Sequence, residues 1–270
     1  MFIHYLITRF NIKVSQRGPE TMDSPDMNLE WLSERMHLFK KYCAPSVLEQ
    51  VNTKFTWLIY LNPDTPITIM QQLEFLIKCN IKTELVFAND YEQMIKDIVG
   101  KIKNAPSPYV ITSRLDNDDI ISRFFIRDVQ KSFKPHHSTI INFNSGFEYS
   151  TLDRVLKKWN TRHHNQFISI IEEKEAPEIH SIYGFPHWGL PRNSEIINIS
   201  GQVYWIYLRH DLNYSGSAIT GIPYFLKLKA LDMFPLSMRR MPISFINTFQ
   251  YATKWLPAML KRRYGSTKKK

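Results

Sequence analysis

The chain is short of glycine, and its few glycines do not form a phosphate-binding loop. Its 270 residues include 9 glycines. Only Gly18 lies near the end of the first apolar run, residues 2–8. Dinucleotide-binding folds and P-loop proteins need a glycine-rich loop at that position, because the backbone approaches the phosphates closely there. The sequence therefore argues against both classes.

Cysteines and long apolar runs are also scarce. Cys43 and Cys79 lie in segments with helical periodicity, and neither belongs to a metal-type spacing. We expect both to be reduced core thiols. The N-terminus lacks the basic lead-in and long apolar core of a signal peptide. No stretch approaches the ~20 apolar residues that span a bilayer. These absences predict a cytoplasmic protein.

Acidic residues are missing from the C-terminal end. No aspartate or glutamate follows Asp232, whereas nine lysines and arginines do, and this leaves only one of the +10 net charges to the rest of the chain. The basicity belongs to a tail, residues 235–270. It does not indicate a nucleic-acid-binding body, and we expect no nucleic-acid partner.

Two periodicities alternate through the first half of the chain. Apolar β-like runs occupy residues 2–8, 55–61, 83–88, 109–115 and 138–143. Helical patterns with apolar positions three and four apart occupy residues 29–39, 69–77 and 94–102. This alternation predicts an α/β fold with a mixed, mostly parallel sheet flanked by helices.

Shorter apolar runs follow residue 140. They occupy residues 140–143, 146–149, 167–171 and 203–208. Asn144, Ser145 and Gly146 predict a hairpin turn between the first two of these. Trp205 stands inside the last run, which favours a core position.

The most informative motif ends the run at residues 109–115. Asp116, Asn117, Asp118 and Asp119 place three carboxylates within four residues, which repel one another unless a cation lies among them. Mg²⁺ and Mn²⁺ prefer oxygen ligands and fill their remaining positions with substrate phosphates. We predict a metal–nucleotide site at Asp116 and Asp118, and an N-cap at Asp119. The alternative, that the whole cluster makes a turn and caps a helix, stays open.

Ligands of such sheets bind at the carboxyl ends of the strands. Three strand ends are therefore candidates for one site: Thr8 to Asn11, Asn62 to Asp64, and Asp116 to Asp118.

Several segments carry a resemblance to a known family. They are residues 7–11, 31–39, 56–58, 113–119 and 208–213, of which Arg114 to Asp119 is the most specific. Over roughly residues 1–220 the chain resembles the putative rhamnosyltransferase family of bacterial polysaccharide clusters, among nucleotide-sugar glycosyltransferases of the A-type fold. The resemblance supports glycosyl transfer better than it supports rhamnose.

The resemblance implies one A-type domain over residues 1–234, with nucleotide-sugar binding in 1–140 and acceptor binding in 141–234. It implies Mn²⁺ or Mg²⁺ held by Asp116, Asp118 and His210, with the ion neutralising the leaving diphosphate. The residues implied to contact the donor are Thr8, Arg9, Asn11, Asp64, Arg114, Asp116 and Asn117. Arg114 could equally pair with Asp116 and hold it in place.

The implied acceptor is a saccharide or a lipid-linked glycan, with His187 and Trp188 in its pocket. Inverting transfer requires a general base. Glu172, at the end of an apolar run, is the first candidate, with Glu173 and Asp211 behind it. The alternative for the two glutamates is that they begin an acidic surface run.

The tail has apolar and aromatic residues at near-helical spacing over 242–256, between basic flanks. This pattern is typical of a helix lying on an anionic membrane, which would place the protein at the inner membrane face. The alternative is a C-terminal helix packed on the core.

Two other functions fit the same residues. A nucleotidyltransferase would use the same aspartate pair. A non-catalytic basic protein would bind a membrane or nucleic acid through the tail alone.

Overall fold

The structure is a computed structural model that describes residues 1–13, 28–77, 79–161, 165–186, 189–211, 221–225 and 230–265. Of the described helices, the side chains of residues 75, 77, 230 and 262–265 are not part of this description. The chain forms a mixed central sheet flanked by helices, a smaller second sheet and a C-terminal helix. The predicted α/β class is confirmed.

The central sheet has seven strands in the order β10-β6-β9-β4-β1-β2-β3. All neighbours are parallel except β9, which runs antiparallel to both β4 and β6. The strands are β1 (Phe2–Arg9), β2 (Thr56–Leu61), β3 (Lys82–Phe87), β4 (Tyr109–Arg114), β6 (Thr139–Phe143), β9 (Ser169–Glu173) and β10 (Glu195–Ile199).

In the described part of the chain, five helices, α1 to α5, fall between these strands, and two more follow the last strand. Asp90 caps α4 by accepting a hydrogen bond from the Gln93 backbone N–H at 2.8 Å. A π-helical turn, Phe39–Cys43, joins the first two helices. The helices are α1 (Leu29–Leu38), α2 (Ala44–Leu48), α3 (Ile67–Ile77), α4 (Tyr91–Lys103), α5 (Phe125–Lys131), α6 (Leu236–Arg239) and α7 (Phe245–Gly265), with a 3₁₀ turn at Ala230–Met233.

Apolar cores lie on both faces of the central sheet, which explains the continuous apolar runs in its strands. Side chains alternate between faces along a strand. Thus Leu6 and Trp57 pack into the core that contains α1 and α3, while Ile7 and Leu58 pack into the core that contains α4. Neither cysteine forms a disulfide: Cys43 is in the first core, and Cys79 is half-buried just past α3.

The second sheet has the order β12-β8-β7-β11-β5. Its strands are β5 (Ile120–Ile121), β7 (Ser145–Ser150), β8 (Val155–Asn160), β11 (Trp205–Arg209) and β12 (Ile222–Pro223). The C-terminal helix α7 packs beside β8 and β12. Among the described residues, no helix is long and apolar enough to cross a membrane.

The predicted hairpin at Asn144 to Gly146 is wrong. The chain passes there from β6 in the central sheet to β7 in the second sheet, so the two strands do not pair. Gly146 lies inside β7 because the Trp205 indole covers it: an added Cβ would stand 2.0 Å from Trp205 Cδ2. The glycine serves close packing rather than a turn.

The central sheet continues past residue 140, the boundary predicted between the donor-binding and acceptor-binding halves. The strands β6, β9 and β10 all follow or span that position and belong to it. The assignment of donor and acceptor binding to the two halves stays a prediction.

Substituting Gly146 tests this packing. Trp205 cannot yield easily, because it stacks on Phe167 at a centroid distance of 4.9 Å and its Nε1 donates to the Phe143 carbonyl at 2.9 Å. We expect Gly146→Ala to lower the free energy of unfolding by about 1–3 kcal/mol or more, measured by urea denaturation. Gly100→Ala is the control.

Gly100 lies in α4 with nothing within 4 Å of an added Cβ. Its replacement by alanine should stabilise the protein by up to about 1 kcal/mol. Equal effects of the two substitutions would contradict the role assigned to Gly146.

Candidate active site

The strand order creates a crevice between β1 and β4. From β1 the chain continues to β2 and β3 on one side, and then returns to β4 on the other side. The order therefore reverses between β1 and β4, which is where open α/β sheets bind ligands at their carboxyl edge. Arg9 is the last residue of β1, and Asp116 follows the end of β4. The prediction that their ends meet is confirmed: Asn117 Nδ2 donates to the Phe10 carbonyl at 2.7 Å.

The residues Asp116–Asp119, here called the acidic turn, line this crevice. Asp118 is buried, and its Oδ2 accepts a short hydrogen bond from Arg35 of α1. His210 Nε2 lies 2.8 Å from the same oxygen. Arg35 also donates to Asn117 Oδ1 at 3.3 Å. Arg35 and His210, both distant in sequence from the acidic turn, thus converge on one carboxylate.

Asp116 is held by the arginine two residues before it. Arg114 Nη2 donates to both carboxylate oxygens, at 3.1 and 3.3 Å, and the pairing that the sequence offered as an alternative is confirmed. Burial lowers the pKa of Arg114, but the charge and hydrogen bonds of Asp116, together with Tyr183 and Tyr91, outweigh burial and leave that pKa above its usual value. The guanidinium carbon lies 5.1 Å from the Tyr183 ring centroid. Arg114 is therefore a fixed cation at the crevice.

Asp119 does not cap a helix, and that prediction is wrong. It precedes the short strand β5, and its Oδ1 accepts from the Leu208 backbone N–H of β11 at 2.9 Å. Burial, followed by the charges of Asp118 and Asp116, raises the pKa of Asp119 well above its ordinary value. The acidic turn is thus joined to the second sheet at both Leu208 and His210.

A second cation lies beside β1. The Arg9 guanidinium carbon stands 5.8 Å from the centroid of the Tyr91 ring. Tyr91 in turn meets Tyr183 edge-on, with centroids 6.4 Å apart. Tyr183 is fully buried and donates to the Ile7 carbonyl at 3.2 Å. These two tyrosines separate and orient Arg9 and Arg114.

Two of the other residues predicted to contact the donor, Thr8 and Asn11, form hydrogen bonds within the fold. Thr8 is fully buried, and its hydroxyl accepts from the Trp57 indole N–H at 3.0 Å, so its side chain lies in the core. Asn11 joins two strand ends, because its Oδ1 accepts from the Asn62 N–H at 3.0 Å and its Nδ2 donates to Thr65 at 2.9 Å. Asp64 is exposed at the same edge. Their donor-binding roles stay predictions.

Glu172 and Glu173, the residues predicted as general bases, lie at the opposite edge of the sheet from the acidic turn. The strand β9 runs antiparallel to β4, and Glu172 pairs in register with Val110 near the start of β4. Asp116 is six residues further on, which is about 20 Å at the rise of a β-strand. Of the three carboxylates predicted as bases, only Asp211, next to His210, lies near the acidic turn.

Glu172 is instead a buried structural carboxylate. It accepts hydrogen bonds from the backbone N–H groups of His180 at 2.6 Å and Ser181 at 3.0 Å. The predicted acceptor residues His187 and Trp188 lie outside the described residues. Trp205 is in the core, as predicted.

Arg35 is the residue of this site that sequence reasoning missed. The sequence carried a signal for it, because Arg35 stands three residues after Leu32 and next to Met36, within the apolar stripe of α1. A charged residue on a buried helix face needs a partner of opposite charge. Asp118 is that partner.

The side chains present suit a divalent cation in their chemistry. Asp116 and Asp118 supply carboxylate oxygens, and His210 supplies an imidazole nitrogen, a set that Mn²⁺ or Mg²⁺ accepts. Within the described part of the chain, no three histidine, cysteine or acidic side chains already surround a common metal position.

The chain thus carries its carboxylates and arginines at the crevice between β1 and β4, where open α/β sheets bind ligands. The family model described as Putative rhamnosyl transferase matches residues 7–222. The chain belongs to this family, and it is a glycosyltransferase.

No curated protein sequence matches the chain. Similar solved structures include TarS 1–349 from S. aureus in complex with UDP-GlcNAc, at 14% identity and a TM-score of 0.44, with 99% of this chain and 76% of that chain covered. Another is the inositol-1-phosphate CTP transferase from T. maritima, at 11% identity and a TM-score of 0.38, with 78% and 92% covered. Likeness at this level does not bear on what this chain binds.

The buried Glu172 generates a pH prediction for stability. Burial raises its pKa from 4.5 to about 7. The unfolded chain ionises this group at its ordinary pKa, so the stabilising contribution is complete below 4.5 and is lost as the pH rises through 7. Relative to Glu172→Gln, the wild-type free energy of unfolding should fall by up to about 3 kcal/mol between about pH 5 and about pH 8, measured by urea denaturation.

Glu175→Gln is the matched control, because it removes an exposed carboxylate from the segment that follows β9. This control should keep the wild-type pH dependence. If wild type and Glu172→Gln lose stability in parallel over this range, the burial of an uncharged Glu172 is contradicted.

Proposed function

We propose that the protein transfers a sugar, rhamnose in the family's description, from a nucleoside-diphosphate donor to a saccharide or lipid-linked glycan. We further propose that Mn²⁺ or Mg²⁺ assists this transfer. The observation that carries the proposal is the acidic turn at the crevice between β1 and β4, with Asp116 and Asp118 each held by an arginine. Family membership supplies the reaction class.

The charges of the site support a metal and a diphosphate together. Asp116 and Asp118 are matched by Arg114 and Arg35, so these four side chains sum to zero. A diphosphate entering the crevice adds negative charge that nothing in this set is left to offset. A divalent cation offsets it, and Mg²⁺-type ions commonly bind between one or two carboxylates and substrate phosphates.

Each side chain then has a role in binding or orientation. Asp116, Asp118 and His210 would hold the ion, which when bound supplies Lewis-acid stabilisation of the departing diphosphate. Arg35, released from Asp118, and Arg9 would contact phosphate oxygens, as arginines do with planar two-point hydrogen bonding. Arg114 keeps Asp116 oriented. Asn117, which donates to Phe10, fixes the turn against β1.

For an inverting reaction we propose Asp211 as the general base. It is exposed and directly follows His210, whose ring contacts Asp118. A carboxylate at this position can accept the proton of an acceptor hydroxyl that enters from the side of the second sheet.

Removing the charge of Asp118 tests the metal role. A metal-assisted reaction draws several kcal/mol of transition-state stabilisation from the ion. We therefore expect Asp118→Asn to lower kcat/KM at least about 100-fold, which corresponds to about 3 kcal/mol. Transfer would be measured with a panel of nucleotide-sugars and Mn²⁺, and mass spectrometry would show whether the product carries a sugar or a nucleotide.

Glu92→Gln is the control, since it removes an exposed carboxylate of α4 that pairs with Lys96 at the surface. It should retain wild-type activity. Full activity of folded Asp118→Asn would exclude the proposed ion site, and a nucleotide-bearing product would favour the nucleotidyltransferase alternative.

The pair between Arg35 and Asp118 gives an independent prediction. Without Arg35 the buried Asp118 loses its cation, which typically costs 3–5 kcal/mol, and no arginine competes with the ion. Arg35→Gln should therefore have a lower Tm than wild type without metal, and Mn²⁺ should raise its Tm more than it raises that of wild type. A thermal scan with and without Mn²⁺ measures both. Equal Mn²⁺ effects would contradict competition at Asp118.

A further inference from the structure

The C-terminal helix α7 turns an apolar surface to solvent. Phe245, Ile246 and Phe249 are 68%, 70% and 59% exposed, and Leu256 and Leu260 are 49% and 42% exposed. At 3.6 residues per turn these five side chains fall within an arc of about 100°. They form one face, not a scatter of single residues.

The opposite side of α7 is fixed to the second sheet. Tyr251 donates to the Gly221 carbonyl at 3.2 Å, and its ring lies 4.7 Å from Lys157 Nζ. Asn247 Nδ2 donates to the Asp153 carbonyl at 2.7 Å, and Thr248 is fully buried. The helix therefore has its core contacts already, and the exposed side chains are additional to them.

Phe225 extends this surface. It is 39% exposed and its ring lies 5.6 Å from that of Phe245. Phe225, Phe245, Ile246, Phe249, Leu256 and Leu260 are here called the apolar face. A contiguous exposed apolar surface of this kind marks an interaction site.

Charge identifies the partner. Lys254 and Lys261 are exposed and, by helical geometry, border the apolar face on one side. Residues 233–270 contain nine lysines and arginines and no acidic residue. A second copy of the chain would bring its own Lys254 and Lys261 to the same contact, which opposes self-association. A lipid surface, which is anionic at its headgroups and apolar just below them, would match both the lysines and the apolar face.

We propose that α7 lies in the headgroup region of an anionic lipid membrane, with the apolar face among the acyl chains and the lysines against the lipid headgroups. The apolar face is on α7, which packs against the second sheet, and it is not part of the acidic turn. The inference therefore goes beyond glycosyl transfer and does not depend on it.

Flotation of the full-length protein with lipid vesicles tests the proposal. We expect the wild type to bind vesicles of equal parts phosphatidylcholine and phosphatidylglycerol, and to bind phosphatidylcholine vesicles far less. Raised salt should weaken the binding, since it screens the lysines. Absence of binding to the anionic vesicles, or equal binding to both compositions, would overturn the proposal.

Two double variants separate the two contributions. Ile246→Asp with Phe249→Asp should abolish binding, because carboxylates replace the inserted side chains. Lys254→Glu with Lys261→Glu should reduce the partition coefficient by at least about fivefold for each cation lost, the factor that corresponds to 1 kcal/mol. Wild-type binding by either variant would contradict the assigned surface.

The matched controls are exposed residues of β10 and α4, which are not part of the apolar face. Ile196→Asp places a carboxylate at an exposed position of the edge strand β10, and Lys96→Glu with Lys103→Glu reverses two exposed lysines of α4. All controls should bind as wild type does. If sedimentation instead shows a dimer that only the Ile246 and Phe249 variant loses, a second copy covers the apolar face and the membrane proposal fails.

Discussion

The neutralisation of buried carboxylates at the acidic turn is the interaction on which the rest of the structure depends. Asp118 lies in the interior between Arg35 of α1 and His210 beyond β11. A buried charge without a partner is costly, so these residues must come together for the chain to fold. The same contact therefore joins the first helix, the end of β4 and the second sheet, and it concentrates charge at one crevice.

This arrangement serves stability and function at the same place. With no donor bound, the arginines stabilise the aspartates. In the proposed reaction Arg35 would turn from Asp118 to the diphosphate, Asp116 and Asp118 would hold the ion, and Arg114 would keep Asp116 oriented. The tyrosines that flank Arg9 and Arg114 limit where those guanidinium groups can move. A site held by its own ion pairs is in this way preorganised for a charged ligand without leaving like charges unpaired.

The sequence predicted what local patterns encode. The apolar runs of β1, β2 and β4 gave the sheet, and the rule that parallel strands end at one edge brought Asn117 next to Phe10. It did not predict what depends on strand direction and on contacts distant in sequence. Nothing in the run before Glu172 records that β9 is antiparallel, so that glutamate was placed at the wrong edge. Gly146 resembles a turn residue until Trp205, almost 60 residues later, is seen above it. Arg35 could have been found, because a charge within an apolar stripe requires a partner.

The most direct test is a crystal structure of the protein with Mn²⁺ and a nucleoside diphosphate, with anomalous scattering used to locate manganese. This account predicts one manganese peak between Asp116 and Asp118, bridged to the diphosphate, with Arg35 moved from Asp118 toward a phosphate oxygen. Bound nucleotide with no manganese at the acidic turn, and with Arg35 still on Asp118, would contradict it.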